Sequence, residues 1–325
     1  MSHCEILLPF GLPPPELAPD LLRQLQAPAL ATLLTKAAAP SVERFDPFAR
    51  SLPHEIWLAR AMGLPTASIS SPPVAAQRMR DLGQTANEGY WFLLHPVHIH
   101  IARDHLVLTD RRRLQISDDE SRALFDMAKP AFDDAGKPLV YGDAGTWFVH
   151  ADDWRDLQTA SPDAACGHNV DIWMPKGPGE RAWRKLQNDV QMEWHDHRIN
   201  QEREARREQS VNSLWIWGGA TLPAQTKPIL LNDGREGFGA LRDDTAVLLD
   251  DLSEPALAED WGSWLDRLHT LEATWFTPLL AALKNSQLDR ATLRLTHNTE
   301  LREFAVTKSG FWKFWARPTL ARLAP

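Results

Sequence analysis

Asn212-Ser213-Leu214-Trp215-Ile216-Trp217-Gly218-Gly219 sets two polar residues, a strand-like apolar run and a glycine pair in unbroken order. Alternation along a pleated strand puts Leu214 and Ile216 on one face and Ser213, Trp215 and Trp217 on the other. Glycine adopts backbone angles that other residues avoid, so Gly218 and Gly219 predict a sharp turn at the strand's carboxyl end. In open α/β sheets ligands sit at that end, which makes the segment a candidate site. The plainer reading is a core strand whose tryptophans fill space before a turn.

The chain of 325 residues is 43% hydrophobic, enough to bury a substantial core in one large domain or two ordinary ones. No uninterrupted apolar stretch reaches the ~18 residues of a membrane span. Ile6-Leu7-Leu8 before Pro9 falls short of a signal-peptide apolar region, so a cytoplasmic protein with no membrane partner is expected. Its net charge of -8 argues against non-specific nucleic-acid binding. Cys4 and Cys166 form no CxxC motif or disulfide framework and read as small buried apolar residues.

Outward from the motif, Glu5 to Gly11 reads as a short buried strand ending in a turn, and Glu16 to Ala38 as helices broken at Pro28. Tyr90–Leu94, Val97–Ala102 and Leu106–Thr109 read as strands, the last two joined by a hairpin turn at Arg103-Asp104. Ser117 followed by Glu120 is a capping box that opens a helix. Thr146–His150 reads as a strand. From Glu180, Trp183, Leu186, Val190 and Trp194 mark one buried helical stripe, which His197 extends. The last third predicts a strand at Thr245–Leu249, a helix from Asp260 to Lys284, and strands near Thr292–Thr296, Glu303–Thr307 and Phe311–Trp315.

His98 and His100 share a strand face at the spacing of a zinc pair, or are strand histidines held by hydrogen bonds. Glu193 and His197, one helical turn apart, suit a ligand, a metal or a charge-assisted hydrogen bond. The Gly234-Arg-Glu-Gly-Phe-Gly239 loop has the wrong glycine order for a dinucleotide fingerprint. No GxxxxGK[ST], HExxH, GxSxG or CxxC pair occurs. The fourteen tryptophans sit mostly at core periodicity.

Several segments, in order, resemble a bacterial family of uncharacterised or so-called regulatory proteins often labelled cofactor-independent phosphoglycerate mutase. They are Pro73-Val-Ala-Ala76, His95-Pro-Val-His98-Ile99, Trp183 through Gln191-Met192, His197-Arg-Ile-Asn200-Gln-Glu-Arg203-Glu204, the Asn212 motif, and Trp264 through Trp275-Phe276-Thr-Pro278. The motif is also similar to the Asn-x-x-Trp-x-Trp-Gly strand of archaeal-type independent mutases, members of the alkaline-phosphatase superfamily. That resemblance implies an α/β enzyme with two divalent metals, such as Mn or Zn, and a serine nucleophile. The chain departs from the pattern where it matters. Pro9-Phe10-Gly11 stands where the family has Pro-Asp-Gly, and Thr296-His297-Asn298-Thr299 where it has Asp-His-x-Thr. No counterpart of the nucleophile segment, or of the histidine-rich motif before the helix near Asp260, is found.

The expected fold is therefore α/β, an alkaline-phosphatase-like mixed sheet flanked by helices with an additional α+β N-terminal portion at residues 1–210 and an α/β portion at 211–325, packed into one compact unit. The expected function is a catalytically degenerate, phosphoglycerate-mutase-like protein without a cofactor, binding a small anionic metabolite or a protein partner in a regulatory role. His98, Gln191, His197, Asn200, Arg203, Asn212, Ser213, Trp215 and Trp217 are expected to line its site. Arg203 would fork onto a carboxylate or phosphate, His197 and Asn200 would supply directional hydrogen bonds, and Asn212 would hold the strand end. Two alternatives stand beside this one. One is an active metal-dependent mutase or phosphatase using Asp250, Asp251, Asp260 and His297; the other is an interaction protein with no small-molecule site.

Overall fold

The computed structural model describes residues 3–84, 88–222, 231–232, 237–238, 246–312 and 315–324. In chain order the strands are β1 (His3–Leu8), β2 (Ser41–Arg44), β3 (Gly89–Val97), β4 (Ile99–Ala102), β5 (His105–Leu108), β6 (Leu139–Asp143), β7 (Thr146–His150), β8 (Ser213–Leu222), β9 (Leu231–Asn232), β10 (Ala246–Leu248), β11 (Arg290–Thr296) and β12 (Glu300–Thr307). The helices are α1 (Ala18–Gln24), α2 (Pro28–Lys36), α3 (Pro53–Ala61), α4 (Ala75–Asp81), α5 (Asp118–Asp134), α6 (Pro162–Ala165), α7 (Val170–Trp173), α8 (Glu180–His195), α9 (Arg198–Ala205), α10 (Ser253–Leu257), α11 (Trp261–Leu271) and α12 (Thr277–Lys284). The chain divides into two compact units, residues 1–47 with 228–325, and residues 48–227; position 211 falls inside the second.

The first unit holds a mixed sheet in the order β2-β12-β11-β1-β10-β9. β9, β10, β1 and β11 run parallel, and β12 and β2 add antiparallel pairings at one edge. Helices flank the sheet, and its central strands are mostly apolar: Ile6, Leu7, Leu8, Val247, Leu293 and Leu295 are all buried. Helix α2 starts with Pro28, and the carboxylate of Glu272 accepts the N–H groups of Ala29 and Leu30, filling the orphan donors of its first turn. Glu272 belongs to a π-helical turn, Glu272–Phe276, that joins α11 to α12, so the single helix expected from Asp260 to Lys284 is interrupted by a bulge. At Phe311 and Trp312 the chain is the end of a 3-10 helix, Lys308–Trp312, and not the expected strand, of which residues 313–314 lie outside the described residues.

The second unit is built on an antiparallel sheet, β6-β7-β3-β8. On β7 consecutive side chains point to opposite faces: Trp147 donates its indole N–H to Ser121 of α5, while Phe148 packs with Ala75, Ala76 and Met79 of α4. The α8 stripe of Trp183, Leu186, Val190 and Trp194 is buried as its periodicity predicts. Ser117 and Glu120 form both bonds of the capping box of α5, and Arg103-Asp104 turns the β4–β5 hairpin.

The glycine pair behaves differently from its sequence reading. β8 does not turn at Gly218; it continues to Leu222 as the outer strand of the antiparallel sheet. Trp217 pairs with Leu93 but Ala220 pairs with Trp91, so Gly218 and Gly219 together oppose Phe92 in a β-bulge. The extra residue switches the side-chain alternation: Trp217 before it and Ala220 after it both pack on the α4 face. Gly218 has φ +68°, and a Cβ on Gly219 would lie 2.5 Å from Phe92 and 2.7 Å from Tyr90. A left-handed backbone costs a residue with a side chain about 1–2 kcal/mol, so Gly218→Ala is expected to lower unfolding stability by that amount. A urea denaturation curve with an unchanged midpoint would refute the assigned bulge geometry.

Candidate functional site

In the first unit the carboxyl ends of four parallel strands meet at one sheet edge, where α/β proteins place ligands. Phe10 follows β1 with φ +54° and is buried. Its N–H donates to Thr296 Oγ1 at 3.2 Å, and its carbonyl accepts the Trp264 indole N–H at 2.9 Å. The turn is thus locked around a phenyl ring, which has no lone pair for a metal. Asp250 accepts the Ser253 hydroxyl, while Asp260 caps α11 by accepting the Ser263 N–H at 3.1 Å and its hydroxyl at 2.8 Å. Burial lowers the pKa of His297 from its ordinary value, favouring the neutral ring. Among the described residues, no three His, Cys, Asp or Glu donors at this edge gather within 4.8 Å. The described residues therefore do not fit the two divalent metals that the resemblance implies.

The nine residues read from the sequence as site-lining lie in the second unit. Asn212 bonds both ways with Ile99, its Nδ2 donating to the carbonyl and its Oδ1 accepting the N–H, each at 2.8 Å. His98 Nδ1 donates to the Ser210 carbonyl at 2.8 Å, and burial lowers its pKa. Asn200 donates to the carbonyls of Trp194 and Val211 and accepts the Val211 N–H. Arg203, 1% exposed, sends its guanidinium to the carbonyls of Gln209 and Leu114 and to Glu120. Ser213 accepts from Gln187 of α8, and Trp215 donates its indole N–H to the Ala160 carbonyl. These side chains converge on the 209–215 backbone, and their directional bonds run to the chain itself. His197 does not continue the α8 stripe. Helix α8 ends at His195, and His197 caps α9 by accepting the Ile199 N–H, which removes the one-turn relation to Glu193. Gln191 is partly exposed on α8, and Trp217 packs against the α4 cluster.

A second constellation was not visible from spacing, because its members come from three separate stretches. His54 and Glu55 of α3 and Asp163 of α6 hold donor atoms within 4.8 Å of one another. Arg112 forks onto Asp163, at 3.1 and 2.5 Å, and also reaches Asp110 at 3.0 Å. Its guanidinium thus occupies the cation's place against Asp163. Glu55 accepts the Leu52 N–H at 2.7 Å and the Ser161 hydroxyl at 2.6 Å. Burial, reinforced by the nearby Asp163 charge, pushes Glu55 up to about 8, whereas Arg112 outweighs burial at Asp163 and holds it near 2. Two carboxyls with pKa values driven apart form an acid beside a base. Nearby, burial also pushes His95 down to about 3; its Nδ1 donates to the Gly145 carbonyl at 2.6 Å, and its ring lies 6.0 Å from that of Trp217.

These values carry a pH signature. Raising the pKa of Glu55 above its unfolded value of 4.5 contributes stability below that value, which is lost as pH climbs to about 8. Glu55→Gln, which keeps an oxygen for Leu52 and Ser161, is expected to flatten that decline, so that the variant gains stability relative to the parent at pH 9 and not at pH 4. Urea midpoints of the two proteins across this range test it, and parallel curves would refute the assignment.

No helix among the described residues is long and apolar enough to cross a membrane. No protein-family model matches the chain, and no curated protein sequence matches it. Solved structures do resemble it. The PH0037 protein from Pyrococcus horikoshii aligns with a TM-score of 0.50 and 11% identity, over 94% of this chain and 87% of that one. A cofactor-independent phosphoglycerate mutase from Thermoplasma acidophilum DSM 1728 aligns at 0.41 and 14% identity, over 94% and 89%. At such identities the likeness is one of fold: an α/β chain with a mixed sheet flanked by helices.

Proposed function

We propose that this chain is a catalytically degenerate, phosphoglycerate-mutase-like protein of the bacterial cytoplasm that binds a small anionic ligand or a protein partner in a regulatory role. One observation carries the reading. Where β1 delivers its carboxyl end to the ligand edge, Phe10 is buried and bonded at both its N–H and its carbonyl. Phosphoryl transfer draws its rate from charges set against the transferring group, supplied by metals, lysine or arginine. A phenyl ring there supplies none, Asp250 accepts the Ser253 hydroxyl, and Asp260 is engaged in capping α11. In this reading the bonds of Asn200, Arg203 and Asn212 frame the entry to β8, and the protein needs no cofactor.

Metal analysis of the purified chain, paired with phosphoglycerate mutase and phosphatase assays in added Mn or Zn, tests the proposal. The expected outcome is no stoichiometric divalent metal and no metal-dependent turnover. Two tightly held ions with mutase activity would replace it with the active-enzyme alternative. A thermal-shift screen of small anionic metabolites, carboxylates as well as phosphate esters, then reads the ligand half, since a ligand that binds the folded state raises its melting temperature.

A further inference from the structure

A cavity of about 440 Å³ opens beside the bulge, wholly within residues 48–227. Tyr90 and Gly219 form part of its wall, joined by the Tyr90 hydroxyl donating to the Gly219 carbonyl at 2.9 Å. A side chain at position 219 would run into the rings of Tyr90 and Phe92, so glycine keeps this wall open. Pro73 and Ile69 continue it as an apolar surface, and Ile69 is 60% exposed. At the rim the Arg155 guanidinium sits 5.7 Å from the centre of the Tyr90 ring. Among the described residues no acidic side chain forms an ion pair with it.

We infer that this cavity binds a small aromatic monocarboxylate, with the carboxylate on Arg155 and the ring against Tyr90, Pro73 and Ile69. A planar guanidinium matches a carboxylate through two parallel hydrogen bonds, and an aromatic wall beside it accepts a ring at little entropic cost. Asp156 borders the same cavity and brings the rim's formal charge to zero. A single negative charge is tolerated there, while the double charge of a phosphate ester is opposed. The assignment deepens the ligand half of the function proposed above, and rests on it only in taking the ligand to be a small anion.

Fluorine NMR of 4-fluorobenzoate with the full chain tests the site, alongside 4-fluorobenzyl alcohol, 4-fluorophenyl phosphate and acetate. Saturable binding of 4-fluorobenzoate is expected, with the alcohol and the phosphate at least tenfold weaker and acetate not competing. Arg155→Met should weaken 4-fluorobenzoate at least tenfold while leaving the melting temperature unchanged. Should that variant be destabilised, Ile69→Asp provides the second arm, since a carboxylate on the apolar wall should repel the same probe. Undiminished binding to either folded variant, or phosphate binding as tight as benzoate, overturns the assignment. Chelator should not alter the benzoate affinity, so metal-dependent turnover would remove the degenerate-enzyme reading and leave this site standing. Loss of the site would leave the strand-edge argument untouched.

Discussion

Opposite the single residue Phe92 the neighbouring strand spends two, Gly218 and Gly219, and the packing of the antiparallel sheet follows from that mismatch. A one-residue change of register exchanges the faces of every later side chain. Here the exchange puts Ala220 and Leu222 onto the same α4-covered face that Trp217 already occupies, and it turns Gly219 toward Tyr90. Any residue with a Cβ at 219 would meet rings on both sides, and one at 218 would hold a left-handed backbone next to Val74. The strand can be both continuous and re-aimed only because both positions are glycine.

The same pair explains what the sequence could and could not disclose. Periodic features were legible: the α8 stripe, the Ser117–Glu120 box and the Arg103-Asp104 hairpin each rest on local rules that tertiary context did not override. Two adjacent glycines after an apolar run fit a terminating turn equally well, and no local signal separates that from a bulge. The distinction is made by Phe92, more than a hundred residues earlier in the chain. His197 failed for a related reason. Its spacing matched the α8 stripe, but the chain leaves the helix at Asp196 and uses the imidazole to start the next one. The mixed sheet was legible through the family resemblance, whereas the His54–Glu55–Asp163 group was not legible at all, since nothing in a linear spacing brings α3 and α6 together.

Polar residues around the Asn212 motif look like a binding site in sequence because the requirements overlap. A backbone segment that enters a sheet without ladder partners must still satisfy its N–H and C=O groups. Asn200 and Asn212, each with a donor and an acceptor, mimic a peptide unit and close such segments at Val211 and Ile99. Arg203 does so with charge: burying it is tolerable because carbonyls and Glu120 surround the guanidinium. Asparagine, arginine and histidine beside tryptophans therefore serve anchoring and ligand recognition alike, and only the identity of the acceptors tells them apart.

The acceptors also decide between the two places where charge is concentrated. At the parallel-strand edge the acids that a metal would need are turned toward serine hydroxyls and helix N–H groups, and the apex of the β1 turn is aromatic. A cation there would require more than the ion, because Phe10 must give way to a ligand and the Asp260 cap of α11 must be released, at a cost of about 1 kcal/mol. In the α3–α6 cluster the cation is already covalent to the chain, as Arg112, and the second carboxyl answers by holding its proton. Burial and the Asp163 charge push Glu55 toward its protonated form, so the charge of this cluster follows pH. Among the described residues, charge at both places is thus met by the chain's own groups: Ser253 and the first turn of α11 at the strand edge, Arg112 and a raised carboxyl pKa in the α3–α6 cluster.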